Sequence, residues 1–210
     1  MEFSTSGREA HSARFMFSRI TIDYGGINFP LPFCDPEKLY VGFVAVFSGC
    51  KKAIQGNPCP DCQNPSLWSF ERGGDINNVE SYIRKRFTNI SRIAPETEFF
   101  YCVLGGEPLD QDARELELIH DLVEQGCGCK LMSVLFTGYD EIPCEYEDYI
   151  SRRIDFVKLG PYLGNDKREN NLPSGLATRN QQWKVITCSK KTNSGMQKNV
   201  CMNISEIWPH

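Results

Sequence analysis

Three cysteines, Cys50, Cys59 and Cys62, lie in one short segment directly after an apolar run. The run, Tyr40–Phe47, has the length and the β-branched content of a buried strand. A structural zinc ion or a [4Fe-4S] cluster held by protein alone takes four ligands. A loop with three thiols therefore either leaves one metal position open to a bound molecule or needs a distant fourth ligand. The Cys-x8-Cys-x2-Cys spacing alone favours neither interpretation.

The composition predicts one compact intracellular domain. The chain has 210 residues, of which 40% are hydrophobic and 24% are charged, and this is enough to bury a sizeable core. Ten cysteines are too few, in a chain too long, for a small secreted disulfide scaffold. We therefore expect reduced thiols and a cytoplasmic location.

The N-terminal segment and the net charge exclude further classes of function. Residues 1–12 lack the apolar core of a signal peptide, and no run of the chain approaches membrane-spanning length. We accordingly expect no membrane association. A formal net charge of −4 argues against nucleic acid as the main partner, because binding to phosphates requires a basic face.

Strand-like and helix-like patterns alternate after the cysteine loop. The predicted strands are Phe99–Leu104, Leu131–Phe136 and Phe156–Leu159, and the predicted helices start at a cap at Asp75, near Asp110 and around Glu145. This alternation predicts an α/β fold with a parallel sheet, helices packed outside it and functional loops at the carboxyl ends of the strands. Since a complete eight-fold barrel takes about 250 residues, we expect a partial (β/α) barrel that is open at one edge.

The same patterns predict three regions of the chain. Residues 1–38 form an N-terminal extension with a first strand or hairpin, residues 39–187 form the partial barrel, and residues 188–210 form a C-terminal tail without a recognisable motif.

The cysteine loop resembles that of radical S-adenosylmethionine enzymes and, more narrowly, that of the activating proteins of glycyl radical enzymes. The resemblance rests on five motifs: Gly49–Cys50 with Cys59–Trp68, Gly105–Leu109, Phe136–Tyr139, Gly160–Tyr162 and Arg179–Gln181. They occur in the order found in the activating proteins of anaerobic ribonucleotide reductases, and they cover roughly residues 40–182. The chain departs from the family in two places: five extra residues separate Cys50 from Cys59, and Leu159 stands where relatives often carry an aspartate.

The resemblance implies a fold, two cofactors and a reaction. The fold is a partial barrel of the radical S-adenosylmethionine type. Cys50, Cys59 and Cys62 would ligate three irons of a [4Fe-4S] cluster and act in catalysis through it, while the fourth iron binds S-adenosylmethionine. One electron from the cluster then splits the cosubstrate into methionine and a 5'-deoxyadenosyl radical. The cofactor supplies this chemistry, and the protein supplies ligation and orientation.

The resemblance also assigns cofactor-binding residues and partners. Gly105, Gly106 and Glu107 would receive the methionine ammonium, main-chain groups of Asp61 would face the adenine, and Thr137 would lie at the cofactor. The implied substrate is a glycine of a glycyl radical enzyme, with an anaerobic ribonucleoside-triphosphate reductase as the expected partner. A flavodoxin or ferredoxin would supply the electron.

Two alternatives stay open at this point. One is a radical S-adenosylmethionine enzyme that acts on a small molecule or peptide, similar to a 7-carboxy-7-deazaguanine synthase. The other is a non-catalytic zinc or iron-sulfur module, in which Gly105–Pro108 would be only a turn. The other cysteines are expected to be reduced bystanders, and His120 to be structural; these cysteines are Cys34, Cys102, Cys127, Cys129, Cys144, Cys188 and Cys201.

Overall fold

The computed structural model describes residues 15–17, 38, 40–62, 64–71, 79–164, 176–186 and 201–203. The strands are β1 (Phe15–Phe17), β2 (Tyr40–Phe47), β3 (Glu98–Gly105), β4 (Met132–Phe136), β5 (Phe156–Leu159), β6 (Gln182–Ile186) and β7 (Cys201–Asn203). The helices are α1 (Lys51–Ile54), α2 (Val79–Ile93), α3 (Ala113–Cys127) and α4 (Glu147–Arg153). Short 3-10 turns cover Pro65–Leu67, Pro108–Asp110 and Cys144–Tyr146.

The strands form one mixed sheet in the order β1-β2-β3-β4-β5-β6-β7, which is their order along the chain. Strands β2 to β5 are parallel. Strand β1 pairs antiparallel with β2, and β6 and β7 continue the other side of the sheet with antiparallel pairing. The parallel centre therefore has an antiparallel border on each side.

The helices pack against one face of the parallel strands. Each of the strands β3, β4 and β5 lies beside the strand that precedes it in the chain, always on the same side. Because crossovers between parallel strands are right-handed, the connecting helices α2, α3 and α4 lie on a common face. Contacts of α3 with both α2 and α4 agree with this arrangement. Alternate strand residues point to this face and form the main core: Phe43, Ala45, Phe47, Tyr101, Val103, Leu135, Val157 and Leu159.

Helices α2, α3 and α4 contribute to the main core and not to the opposite face of the sheet. A smaller apolar cluster lies there, in which Val134 and Trp183 are buried and Phe100, Phe136 and Phe156 pack against them. The carboxyl ends of β2 to β5 converge beside this cluster, and they supply the loops that form the candidate site.

The ends of α3 show why the helix starts and stops where it does. The Asp112 side chain caps the first turn by accepting a hydrogen bond from the Arg114 N–H, as an N-cap aspartate is expected to do. Gly128 follows the last turn with φ of 71°, a left-handed conformation that glycine adopts without steric cost. Between these residues, Leu116, Ile119 and Val123 are buried at helical spacing.

The predicted α/β class is confirmed, and so are the strands at 40–47 and 156–159. The strand predicted at 99–104 is one residue longer at each end, and the strand predicted at 131–136 begins one residue later. The helices predicted near Asp110 and Glu145 begin two to three residues later, after 3-10 turns. The predicted cap at Asp75 lies outside the described residues. Helix α1 and strands β6 and β7 were not predicted; β7 places part of the C-terminal region in the sheet.

A search of the described helices finds none that is long and apolar enough to cross a membrane.

His120 is a fully buried histidine of α3, as the sequence predicted for a structural residue. Its Nε2 lies 3.1 Å from Ser133 Oγ, and its ring meets Tyr101 edge-on with centroids 4.8 Å apart. Burial, together with the charges of the nearby Arg153 and Lys130, lowers the pKa of His120 to about 3. The side chain is therefore neutral in the folded protein at neutral pH.

We expect His120 to make the protein less stable in acid. Below pH 6.5 the unfolded chain binds a proton at this histidine and the folded chain does not, so the free energy of unfolding falls as the pH falls. Relative to His120→Gln, which can still hydrogen-bond Ser133, the wild type should lose about 2 kcal/mol more between pH 7 and pH 5. Urea denaturation of both proteins at the two pH values measures this difference. Equal losses would show that His120 is protonated while buried.

Candidate metal centre

A cleft of about 670 Å³ opens at the carboxyl ends of β2, β3, β4 and β5. All three predicted ligands, Cys50, Cys59 and Cys62, line this cleft. The lining also includes Gly105, Gly106, Glu107, Phe136, Gly138, Tyr139, Lys158 and Gly160. The structure therefore brings the cysteine loop and the three motifs that follow β3, β4 and β5 to one place.

Helix α1 takes up the extra residues between the first two cysteines. Cys50 is the N-cap of α1, and its carbonyl accepts a hydrogen bond from Ile54 N at 3.1 Å. Gly56 then reverses the chain with φ of 85°, and Asn57 N donates to Lys52 O at 3.0 Å. The insertion is thus a compact helical turn rather than an extended loop, and it leaves Cys59 on the cleft.

The second half of the loop is a series of tight turns that ends at Trp68. Cys62 N donates to Cys59 O at 3.2 Å, so the last two cysteines belong to one turn. After Pro65–Leu67 the indole Nε1 of Trp68 donates to Cys62 Sγ at 3.4 Å. Cys50, Cys59 and Cys62 are all partly exposed, and none of them forms a disulfide.

Backbone hydrogen bonds fasten the two ends of the cysteine loop together and to the end of β3. Gly49 N donates to Leu67 O at 2.7 Å, and Cys50 N donates to Trp68 O at 3.0 Å. Across the sheet, Gly106 N donates to Phe47 O and Glu107 N donates to Gly49 O, both at 2.8 Å.

Gly106 is required for this close contact. A Cβ atom on Gly106 would lie 2.4 Å from Gly49 O and 2.7 Å from Leu67 O, distances that a side chain does not tolerate. The paired glycines after β3 therefore have a direct structural role, which is to let the backbone approach the cysteine loop.

Glu107 is buried at the base of the cleft and accepts three hydrogen bonds. Its Oε1 accepts from Thr137 Oγ1 at 2.6 Å and from Leu109 N at 3.1 Å, and its Oε2 accepts from Gly138 N at 2.7 Å. Burial raises the pKa of Glu107 to about 7, although the three donors oppose this shift. The carboxylate ties the loop after β3 to the loop after β4.

Asp110 is a second buried carboxylate and connects the same loops to α1. Its Oδ2 accepts from Lys51 N at 2.6 Å, and its Oδ1 accepts from the Tyr139 hydroxyl at 2.8 Å. The Lys51 ammonium lies 3.8 Å from Oδ1. Asp110 thereby fixes the residue that follows the first predicted ligand.

Lys158 lies on the cleft side of β5 and places its ammonium 5.9 Å from the Phe136 ring centre. Burial lowers the pKa of Lys158 to about 8, and the charges of Glu107 and Cys59 oppose this shift. No carboxylate of the described residues forms an ion pair with it. The cleft therefore contains a partly buried ammonium group that can face an anion.

The chemistry of the donors fits an iron-sulfur cluster. Thiolate sulfur is the ligand that such clusters take, and the three partly buried thiols lie beside open space. Burial raises the pKa of Cys50, and the carboxylates of Asp110 and Glu107 add to this shift, so a bound cation is needed to hold its thiolate form. Among the described residues, no three His, Cys, Asp or Glu side chains converge on a point that suits a single metal ion.

Two predicted site residues do not line the cleft. Thr137 is buried behind it and reaches it only through the hydrogen bond to Glu107. Asp61 lies in the cysteine turn with φ of 53°, and its carboxylate packs beside Gly164, where a Cβ would lie 2.5 Å from Oδ2. The ligand roles predicted for these residues and for Gly105, Gly106 and Glu107 stay predictions.

The remaining cysteines that the structure describes are away from the cleft. Cys102 and Cys127 are buried in the sheet and in α3, and Cys129 and Cys144 are exposed. Cys34 and Cys188 lie outside the described residues, and for Cys201 only the backbone is described.

Comparison with known families decides what kind of domain this is. A family described as a 4Fe-4S single cluster domain matches residues 41–184, which is well over half of the chain. The chain belongs to this family. The matched region contains the three cysteines and every loop around the cleft. Searches among curated proteins and among solved structures give no match.

Three residues of this 4Fe-4S single cluster domain contribute to the site without having been predicted to do so. Trp68 was recognised only as part of the motif, Lys158 was not assigned to the site, and Asp110 was regarded as a helix start. For two of them the sequence contained a signal, which is their distance from a predicted motif. Asp110 lies three residues after Glu107, and Lys158 lies two residues before Gly160. Their hydrogen bonds and burial depend on how the loops meet.

We expect Glu107→Gln to destabilise the apoprotein of this 4Fe-4S single cluster domain. The amide nitrogen cannot accept a hydrogen bond, so at least one of the three buried donors loses its acceptor, at a cost of about 1–3 kcal/mol. Glu141→Gln changes an exposed carboxylate of the loop after β4 and should alter the free energy of unfolding by less than about 0.5 kcal/mol. Urea denaturation at pH 8 under reducing conditions measures both values. Equal stability of the two variants would contradict the proposed anchoring role.

Proposed function

We propose that the protein is a radical S-adenosylmethionine enzyme that generates a glycyl radical on a partner enzyme. The observation that carries this proposal is the cleft, in which three free cysteines of a 4Fe-4S domain lie beside space lined by Glu107 and Lys158. A site that only stabilised the fold would have little use for a cavity of about 670 Å³ beside its ligands.

The sheet topology supports a partial barrel of the radical S-adenosylmethionine type. The strand order follows the chain without reversal, and the helices pack on one face of β2 to β5. In a doubly wound sheet the order would reverse and helices would cover both faces. The cleft lies at the carboxyl ends of the strands, where barrels carry their sites, on the face that α2, α3 and α4 do not cover.

Cys50, Cys59 and Cys62 would hold the cluster, leaving one iron without a protein ligand. When bound, the cluster and S-adenosylmethionine supply one-electron cleavage of the sulfonium, which yields methionine and a 5'-deoxyadenosyl radical. The protein's own contribution is to fix the ligands. The N–H groups of Gly49 and Cys50 close the loop on itself, and the hydrogen bond from Glu107 N to Gly49 O holds it to the end of β3.

The charges of the cleft suit the methionine end of S-adenosylmethionine. Glu107 Oε2 accepts one hydrogen bond from the protein, so it retains a position for the methionine ammonium. The Lys158 ammonium would face the methionine carboxylate. In this proposal Thr137 acts through Glu107 by holding its carboxylate in place.

The adenine end would lie toward the last cysteine turn. The left-handed backbone of Asp61 places this residue's main-chain groups in an unusual orientation directly before the ligand Cys62. Gly105 and Gly106 present backbone without side chains at the end of β3. These positions are the ones that the family resemblance assigns to the cosubstrate.

The expected partner is an anaerobic ribonucleoside-triphosphate reductase, with a flavodoxin or ferredoxin as the electron donor. The order of the motifs after the cysteine loop supports this choice over other glycyl radical enzymes. A cleft that opens to solvent at a strand edge can receive a glycine on a loop of a large protein.

One observation favours a second candidate, an enzyme similar to 7-carboxy-7-deazaguanine synthase that acts on a small molecule. Helix α1 and the residue that follows it add Lys51, Lys52, Ala53 and Gln55 to the wall of the cleft. Such an added wall would suit a small substrate. Mixing the activated protein with an anaerobic ribonucleotide reductase distinguishes the two, because only the activase produces a glycyl radical signal on the partner.

We expect each of Cys50→Ala, Cys59→Ala and Cys62→Ala to abolish cluster binding and the formation of 5'-deoxyadenosine. Cys144→Ala removes an exposed thiol away from the cleft and should affect neither. The measurements are the iron and sulfide content of anaerobically reconstituted protein and chromatography of the nucleoside products after reduction with dithionite. Formation of 5'-deoxyadenosine by any of the three variants would contradict the ligand assignment. A cluster in the wild type that never yields 5'-deoxyadenosine would contradict the enzyme proposal.

A further inference from the structure

We propose that the Trp68 indole raises the reduction potential of the cluster by donating a hydrogen bond to its ligand Cys62. This inference rests on the proposed function, because it requires the [4Fe-4S] cluster. It concerns the potential of that cluster and not the cleavage of S-adenosylmethionine.

The direction of the hydrogen bond is certain from its chemistry. An indole N–H can only donate, so Cys62 Sγ is the acceptor whether the sulfur is a thiol or an iron-bound thiolate. The distance from Nε1 to Sγ is 3.4 Å, and both side chains are partly buried. Partial burial limits competition from water and strengthens the electrostatic effect of the N–H dipole.

The backbone holds Trp68 in place for this contact. The turn at Pro65–Leu67 leads directly to Trp68, and its carbonyl accepts the N–H of Cys50 at 3.0 Å. A single residue thus contacts two predicted ligands, one through its main chain and one through its side chain. Trp68 thereby connects the first and the last of the three cysteines.

The effect on the cluster follows from its charge. Reduction adds one electron, part of which increases the negative charge on the ligand sulfurs, and an N–H donor stabilises this additional charge. Hydrogen bonds to cluster sulfurs are among the factors that set such potentials. The buried carboxylates Glu107 and Asp110 act in the opposite direction and disfavour reduction. The indole donor partly offsets these carboxylates.

The indole donor also has no counterpart at the other ligands. Among the described residues, no other side-chain nitrogen donates to Cys50, Cys59 or Cys62. The side chain of Cys50, the N-cap of α1, makes no capping hydrogen bond. Trp68 is therefore the position at which a side-chain substitution changes the hydrogen bonding of the sulfurs without replacing a ligand.

The experiment is a redox titration of the reconstituted full-length protein without S-adenosylmethionine, followed by electron paramagnetic resonance. We expect Trp68→Phe to lower the midpoint potential, so that the ratio of reduced to oxidised cluster at a fixed potential falls about tenfold, or about 59 mV for one electron. Because phenylalanine is smaller, 3-benzothienylalanine incorporated at position 68 provides a second variant that keeps the shape and lacks only the N–H. It should lower the potential by a similar amount with normal iron content.

Trp183→Phe is the matched control, because it removes the same atoms from a tryptophan that does not line the cleft. It should leave the potential unchanged. A potential that is the same in the wild type and the benzothienylalanine protein would overturn the inference and leave the proposed function intact. Loss of iron from that protein would mean that Trp68 is needed only for loop structure, which also overturns it. A wild-type protein that binds no [4Fe-4S] cluster would overturn both.

Discussion

Two buried carboxylates, Glu107 and Asp110, hold the loops of the cleft in one arrangement. Glu107 accepts hydrogen bonds from Thr137 and Gly138, and Asp110 accepts from Lys51 and Tyr139. Each carboxylate therefore joins the end of β3 to another strand end or to the cysteine loop. Buried charges are costly unless donors satisfy them, so both carboxylates depend on the loops that they connect. Loss of Glu107 would release the loop after β4 from the end of β3, and loss of Asp110 would release Lys51, the neighbour of Cys50.

The parallel sheet explains why these loops meet at all. Strands β2 to β5 run in the same direction, so their carboxyl ends share one edge, and Gly106 permits contact between the end of β3 and the cysteine loop. The helices cover one face of the sheet, which leaves the other face available for a cavity. The uniform direction of these strands therefore determines both which face the helices cover and where the loops of the site meet.

Much of the fold and the position of the site could be predicted from the sequence. Tyr40–Phe47 was recognised because a continuous apolar run marks a buried parallel strand. The three cysteines were recognised because they lie in one short loop directly after that run and resemble a known cluster loop. Helix α1 was missed because four residues are too few for helical periodicity, and β6 because Gln182–Ile186 lacks a long apolar run. The contacts of Trp68, Asp110 and Lys158 depend on residues far away in sequence, which local patterns do not encode.

The central claim is that the three cysteines leave one iron open for S-adenosylmethionine. Electron paramagnetic resonance of the dithionite-reduced, reconstituted protein, recorded with and without S-adenosylmethionine, tests it most directly. The account predicts a [4Fe-4S]⁺ signal whose g-values change when the cosubstrate is added, because the amino and carboxylate groups bind the open iron. A cluster signal that is identical in both samples, or bound zinc with no cluster, would contradict it.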